Sequence, residues 1–282
     1  MITGCLSFNK EIEISAFLKK KVVRIVYPLI FFLIVGMIFV YGSQPFTKFW
    51  YCWMVLGVYF AIPIVNVFIR NATDREIEYF LVFFIISSAI YNLAHAYDMP
   101  IALDLHFFVG PFSYVILGYY LSRKDFNISA NKIVLISLIA FILISVYKVL
   151  HYEVFYAHNA LMLYSTLSLS IPQVIQASSV FLMFKYIYEV KSGIFGAVRS
   201  FMENRVINGI MLSVSRASYG IYLLHMLFLR GIFEPVCKTI HMTGFQTFVS
   251  IFAVSTTLLV ISWAIIWIMG QIPYVKLISG YA

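Results

Sequence analysis

Apolar runs of nearly bilayer-crossing length follow one another along most of this chain, leaving little that could face water. Each is close to the roughly 20 residues that a transmembrane helix needs. They fall at about 22–41, 49–69, 77–95, 105–122, 132–150, 167–188, 214–232 and 246–269. In hydrocarbon every backbone polar group must be satisfied within the protein, so runs of this length are helices. The composition agrees: 62% of residues are hydrophobic and 11% charged, with mean hydropathy +0.92. A soluble domain is about half apolar and about a quarter charged. The expected fold is all-α, a polytopic transmembrane helix bundle of about eight spans. The connections are short, so 1–282 reads as one membrane domain with no separate soluble part. No repeat or low-complexity segment stands out.

The formal charge of +8 suggests an acidic partner, but its distribution suggests topology instead. If the N-terminus is cytoplasmic, sixteen of the 20 Lys and Arg residues fall on cytoplasmic segments, among them Lys19, Lys20, Lys21, Arg24, Lys132 and Lys185. Only Lys48, Lys148, Arg230 and Lys238 fall on the other side. This is the positive-inside pattern, with both termini in the cytoplasm. Contact with anionic lipid comes second, and no nucleic-acid role is expected.

The 3 Cys residues make no disulfide framework. Cys5 falls inside, whereas Cys52 and Cys237 fall toward the outer side, where a bridge between them is geometrically conceivable beside the plainer reading of free thiols. No CxxC or HExxH pattern occurs, so no metal site is expected. The opening Met1-Ile-Thr-Gly-Cys-Leu-Ser-Phe8 reads like the tail of a preceding span, as though the chain began inside a larger architecture.

Polar residues within the apolar runs are the candidate functional groups, because each is costly at membrane depth. Lys21 and Arg24 lie at i, i+3 in the basic segment before Pro28. They read either as a positive-inside flank or as an anion clamp able to share one phosphate. Tyr59 and Asn66 share a face of the second run. Tyr91, Asn92 and His95 cluster at the outer end of the third, and Gln173 and Gln176 sit at i, i+3 in the sixth. Together they suggest a polar interior suited to a hydroxylated ligand such as a sugar, although interhelical hydrogen bonds account for such residues too.

The strongest signal is Ser218-Tyr219-Gly220-Ile221-Tyr222-Leu223-Leu224-His225. At helical spacing Ser218, Tyr222 and His225 fall on one face. His225 lies near mid-span, unlike His106, His151, His158 and His241, which fall near the outer surface. Its expected partner is a Tyr or Ser of a neighbouring helix.

Several segments resemble the acyltransferase family 3 integral membrane proteins. Phe17-Leu-Lys-Lys-Lys-Val-Val-Arg-Ile-Val-Tyr-Pro28 resembles that family's basic lead into a span. Trp50-Tyr-Cys-Trp-Met-Val-Leu-Gly-Val-Tyr-Phe-Ala-Ile-Pro63 and Phe112-Ser-Tyr-Val-Ile-Leu-Gly-Tyr-Tyr-Leu-Ser122 resemble two later spans. Ser218 to His225 is similar to its SxGIYLxH segment, and Ile272 to Gly280 to its C-terminal exit. Within the family the likeness is to the enterobacterial-common-antigen O-acetyltransferase type.

The resemblance implies an enzyme of the bacterial inner membrane. It would move an acyl group, usually acetyl, from cytoplasmic acyl-CoA to a sugar hydroxyl of a surface polysaccharide or its lipid-linked precursor. It implies that Lys21 and Arg24 help hold the acyl donor and that His225 and its neighbours line the interior; Ser218, Tyr222 and His225, with Asn92 and His95 of the polar cluster, are the expected substrate-binding residues. The family's catalytic Arg and His lie on a first span with no counterpart here. The resemblance therefore implies a chain lacking two spans, with impaired activity. Two other readings remain open: a transporter or flippase for sugars or lipid-linked sugars, and a non-catalytic remnant.

Overall fold

A computed structural model describes residues 1–41, 49–96, 105–156, 171–233 and 244–281. Among the described residues the chain is all helical, with no strand. The helices are α1 (Ile2–Ser7), α2 (Ile14–Gly36), α3 (Trp50–Asn71), α4 (Asp74–Ala96), α5 (Pro111–Arg123), α6 (Ala130–Tyr156), α7 (Ile171–Ile187), α8 (Gly193–Glu203), α9 (Arg205–Phe228), α10 (Gly244–Gln271) and α11 (Pro273–Ser279). A 3-10 turn covers His106–Phe108, and π-helical turns follow α2 at Met37–Tyr41 and α9 at Leu229–Phe233.

Each apolar run coincides with a helix, α2 to α7 and then α9 and α10. Among the described residues four stretches are long and apolar enough to cross a membrane by length and composition: Ile14–Phe39, Trp50–Asn71, Ala130–Lys148 and Val249–Gln271. The fourth run is the shortest helix of the eight. Gly110, at φ 135°, precedes Pro111, and α5 keeps 13 residues. At 1.5 Å per residue that is about 20 Å, short of the ~30 Å hydrocarbon core. Large apolar side chains on the remaining helices stay exposed, such as Ile64, Leu143 and Phe252. That exposure suits a lipid surrounding.

Helix ends follow local chemistry. At the start of α4 the Thr73 N–H and hydroxyl both donate to Glu76 Oε2, at 2.6 and 2.8 Å, forming a capping box. Asn204 caps α9 by accepting from the Val206 N–H at 3.0 Å. Pro111 sits at the first turn of α5, where no N–H is missed.

The described residues fall into two compact units. One holds Met1–Glu11 and Ala61–Met202. In it α1 lies on α5 so closely that a Cβ at Gly4 would come within 1.9 Å of the Val115 carbonyl oxygen. Asn66, 3% exposed, accepts from the Asn9 N–H at 2.9 Å and donates to the Lys10 carbonyl at 2.7 Å. This holds a turn in which Asn9 takes a left-handed φ of 59°. α6 and α7 pack along their length, with Ile133 and Val134 against Tyr186, Ile187 and Val190. Lys185 Nζ donates to the free carbonyls of Leu121 and Lys124 at the end of α5.

The other unit holds Ile12–Phe60 and Glu203–Ala282. Its core joins Leu29, Phe32 and Leu33 of α2 with Ile221, Leu223, Leu224 and Leu227 of α9 and Ile266 of α10. α11 packs on α2 and α10. Gly280 follows it at φ 73° and lies against the backbone of Gly220, a left-handed position that closes the helix.

Candidate functional site

The periodicity of α9 sets the site. Ser218, Tyr222 and His225 emerge on the face opposite the Leu223 and Leu227 core positions, which are buried. They form one wall of a groove of ≈ 800 Å³ between α9 and α10. Thr247, Ser250 and Ser255 of α10 supply hydroxyls from the facing wall, and Ile251, Val254, Leu258 and Leu259 supply apolar surface. Leu229, in the π-helical turn after α9, also lines the groove.

His225 is held by its own helix. Its Nδ1 lies 3.1 Å from the Ile221 carbonyl oxygen. A carbonyl only accepts, so Nδ1 carries the proton. In the neutral ring Nε2 then keeps the lone pair and can accept from a ligand hydroxyl. This corrects the expectation of a partner on a neighbouring helix. A helical side chain leans back over the preceding turn, which brings the ring to the i−4 carbonyl. The Tyr222 ring flanks the imidazole at 5.6 Å and meets Tyr51 of α3 at 5.1 Å.

Behind the groove, Tyr219 ties three helices together. Its hydroxyl donates to the Ile25 carbonyl of α2 at 2.9 Å and contacts Cys52 Sγ of α3 at 3.5 Å. Cys52 is buried, while Cys237 lies outside the described residues.

Lys21 and Arg24 stand on α2, Lys21 one turn before the Ile25 contact and Arg24 next to it. Lys21 Nζ lies over the rings of Phe17 and Tyr59, at 5.9 and 5.3 Å, whereas Arg24 is exposed. Among the described residues neither has a carboxylate partner, so both charges remain available to an anion.

The remaining polar candidates have local partners where their side chains are described. Tyr59 belongs to the Lys21 cluster, and Asn66 is consumed by the Asn9–Lys10 turn. Gln173 and Gln176 hold Lys148. The side chains of Asn92 and His95 lie outside the described residues. Away from the spans, the Tyr120 hydroxyl and then the Glu78 carboxylate hold the Lys124 ammonium above its ordinary pKa. Glu76 is held below the usual carboxylate range by the Thr73 backbone N–H and hydroxyl. Among the described residues no cluster of His, Cys, Asp and Glu could hold a metal.

The Thr247, Ser250 and Ser255 wall was not anticipated. Its signal was present, since Thr247, Ser250 and Val254 recur at three- and four-residue spacing like one face of a helix, with Ser255 next to the last of them.

A family model described as an acyltransferase domain, acyltransferase family 3, matches residues 1–267. No curated protein and no solved structure matches the chain. Coverage of nearly the whole chain, together with its long apolar helices, shows that it belongs to acyltransferase family 3 and is a multi-pass membrane acyltransferase.

Proposed function

We propose that the protein moves an acyl group, acetyl in the usual case, from acyl-CoA to a sugar hydroxyl of a surface polysaccharide or lipid-linked precursor. The acceptor hydroxyl enters the groove between α9 and α10. Its oxygen attacks the thioester carbonyl carbon, a C–O ester bond forms, and the C–S bond breaks. The hydroxyl proton leaves with the released thiol.

One observation carries the reading: an imidazole held through Nδ1 by the Ile221 carbonyl faces a wall of hydroxyls in a groove of ≈ 800 Å³. Ser218, Thr247, Ser250 and Ser255 both donate and accept, as a polyol requires, and among the described residues no charged side chain lines the groove. Aliphatic residues beside them suit a ligand that arrives from lipid. His225 Nε2 would accept from the acceptor hydroxyl and aim its oxygen. Lys21 and Arg24 would meet the donor's phosphates from the cytoplasmic side, at the inner membrane of a bacterium.

The test is transfer of labelled acetyl from acetyl-CoA into the saccharide fraction of membranes carrying the protein. Removing the His225 hydrogen bond in His225→Ala should weaken acceptor use about tenfold or more. Transfer that is unchanged in His225→Ala and in Ser218→Ala would remove the groove from the reaction.

A further inference from the structure

Lys148 places a cation within the α6–α7 pair that the acyl-transfer reading does not use. It lies 16 residues beyond Lys132, about 24 Å along the helix axis, near the far edge of a ~30 Å hydrocarbon core. Its Nζ turns to α7, and the side chain is half-buried. It donates to Gln173 Oε1 at 2.5 Å and to Gln176 Oε1 at 2.6 Å. The Gln176 amide in turn donates to Ser145 Oγ at 3.0 Å, and the Ser145 hydroxyl to the Phe141 carbonyl at 2.7 Å. Three residues thus fix the position of the ammonium.

The arrangement satisfies hydrogen bonds but leaves the charge unbalanced. Both acceptors of the ammonium are neutral amide oxygens, and among the described residues no carboxylate reaches Lys148. A methionine would pack between α6 and α7 without the cost of taking an ion from water, whereas a half-buried cation is tolerable when an anion completes it. An ammonium has three protons, and two are used here. Among the described residues the third proton and the Gln173 amide N–H₂ have no protein acceptor. Two donors and one positive charge, held side by side at headgroup depth, form a receptor for a compact oxyanion.

We propose that Lys148 and Gln173 bind the phosphate of a membrane lipid, with Gln176 and Ser145 holding the ammonium in position. Phosphate is the anion that a lipid presents at this depth. Two lipid classes carry it there: phospholipids, and isoprenoid phosphates that carry saccharides. The site does not rest on the acyl-transfer reading, and phosphate binding and acetyl transfer are separate readouts.

The experiment uses the full chain purified in neutral detergent. Binding of phosphatidylglycerol and of farnesyl phosphate is titrated separately, with phosphatidylcholine and farnesol as controls. Wild-type protein is expected to bind one phosphate-bearing probe more tightly than its control. Lys148→Met should weaken that binding about tenfold, the equivalent of one charge-assisted hydrogen bond, and Lys148→Arg should keep it. Weakening with phosphatidylglycerol identifies a phospholipid site, and weakening with farnesyl phosphate an isoprenoid-phosphate site. Because Lys148→Met also removes a tie between helices, Gln173→Glu is the second variant. It supplies an internal counter-ion, so it should abolish binding while leaving the melting temperature equal or higher. The inference is overturned if neither probe outbinds its control, or if Lys148→Met or Gln173→Glu binds as wild type does.

Discussion

The Tyr219 hydroxyl donates to the backbone carbonyl of Ile25 at 2.9 Å, joining α9 to α2 across 194 residues of sequence. Ile25 follows Arg24 directly, and Tyr219 follows Ser218, so this bond couples the basic pair on α2 to the groove wall on α9. Tyr219→Phe keeps the ring and removes the bond. The expected loss is about 1–2 kcal/mol, the range for one hydrogen bond between membrane helices or to a half-buried carbonyl. Thermal unfolding in detergent reads it directly. An unaltered melting curve would mean that the three helices are held by packing alone.

Gly220 is a packing requirement. A Cβ there would lie 2.3 Å from the Ser279 carbonyl oxygen and 2.7 Å from an Ile266 methyl. The first of these is backbone and cannot rotate away. Gly220→Ala should therefore push α11 off α9 and cost about 1–3 kcal/mol. Gly57, where a Cβ would meet nothing within 4 Å, provides the control. Gly57→Ala should melt no lower than the parent, since alanine is the better helix former.

Asn66 should reveal itself through proteolysis. Asn66→Ala leaves the Asn9 N–H and the Lys10 carbonyl without their side-chain partner. The turn should loosen by about 2–3 kcal/mol, and trypsin should cut after Lys10 correspondingly faster. Equal cleavage rates in variant and parent would show that the turn is held by other contacts.

The capping box of α4 makes the start of that helix sensitive to acid. The Thr73 backbone N–H, then its hydroxyl, hold the folded Glu76 pKa below the unfolded value of about 4.3. A lowered folded pKa means that the contribution is fully present above the unfolded value and is lost as pH falls through the folded one. Hydrogen exchange at the Glu76 and Ile77 amides, corrected for intrinsic rates, should lose protection on acidification. Glu76→Gln should flatten that dependence, and a variant that still loses protection identically would place the titrating group elsewhere.

Filling the groove separates its role from folding. Ser255→Phe places a ring in the groove, where space is open, and should abolish acetyl transfer without lowering the melting temperature. Full transfer by this variant would show that the acceptor binds elsewhere.

Much of this architecture is visible in the chain because a bilayer leaves an apolar run little choice but a helix. Two helix starts also rest on neighbouring residues alone, at Gly110-Pro111 and at Thr73 with Glu76. The Ser218, Tyr222 and His225 face follows from helical spacing alone, and the structure brings the three into one groove. Partners across the fold are another matter. Asn66 meets a turn 56 and 57 residues away, and Lys148 meets glutamines 25 and 28 residues away. Nothing in local pattern says whether a polar residue in a span will meet a ligand, a backbone turn or another side chain. The hydroxyl wall of α10 was missed for the same reason: a period shows that a face exists, and only packing shows what it faces.

The imidazole of His225 is steadied by main chain, and main chain does not vary when side chains do. Substitutions along Thr247, Ser250 and Ser255 can therefore reshape the opposite wall while Nε2 stays where Ile221 puts it. One helix keeps a constant reference point and the other is free to diverge. If the groove takes the acceptor as proposed, such proteins can change acceptor by altering α10 alone, with the His225 anchor left in place.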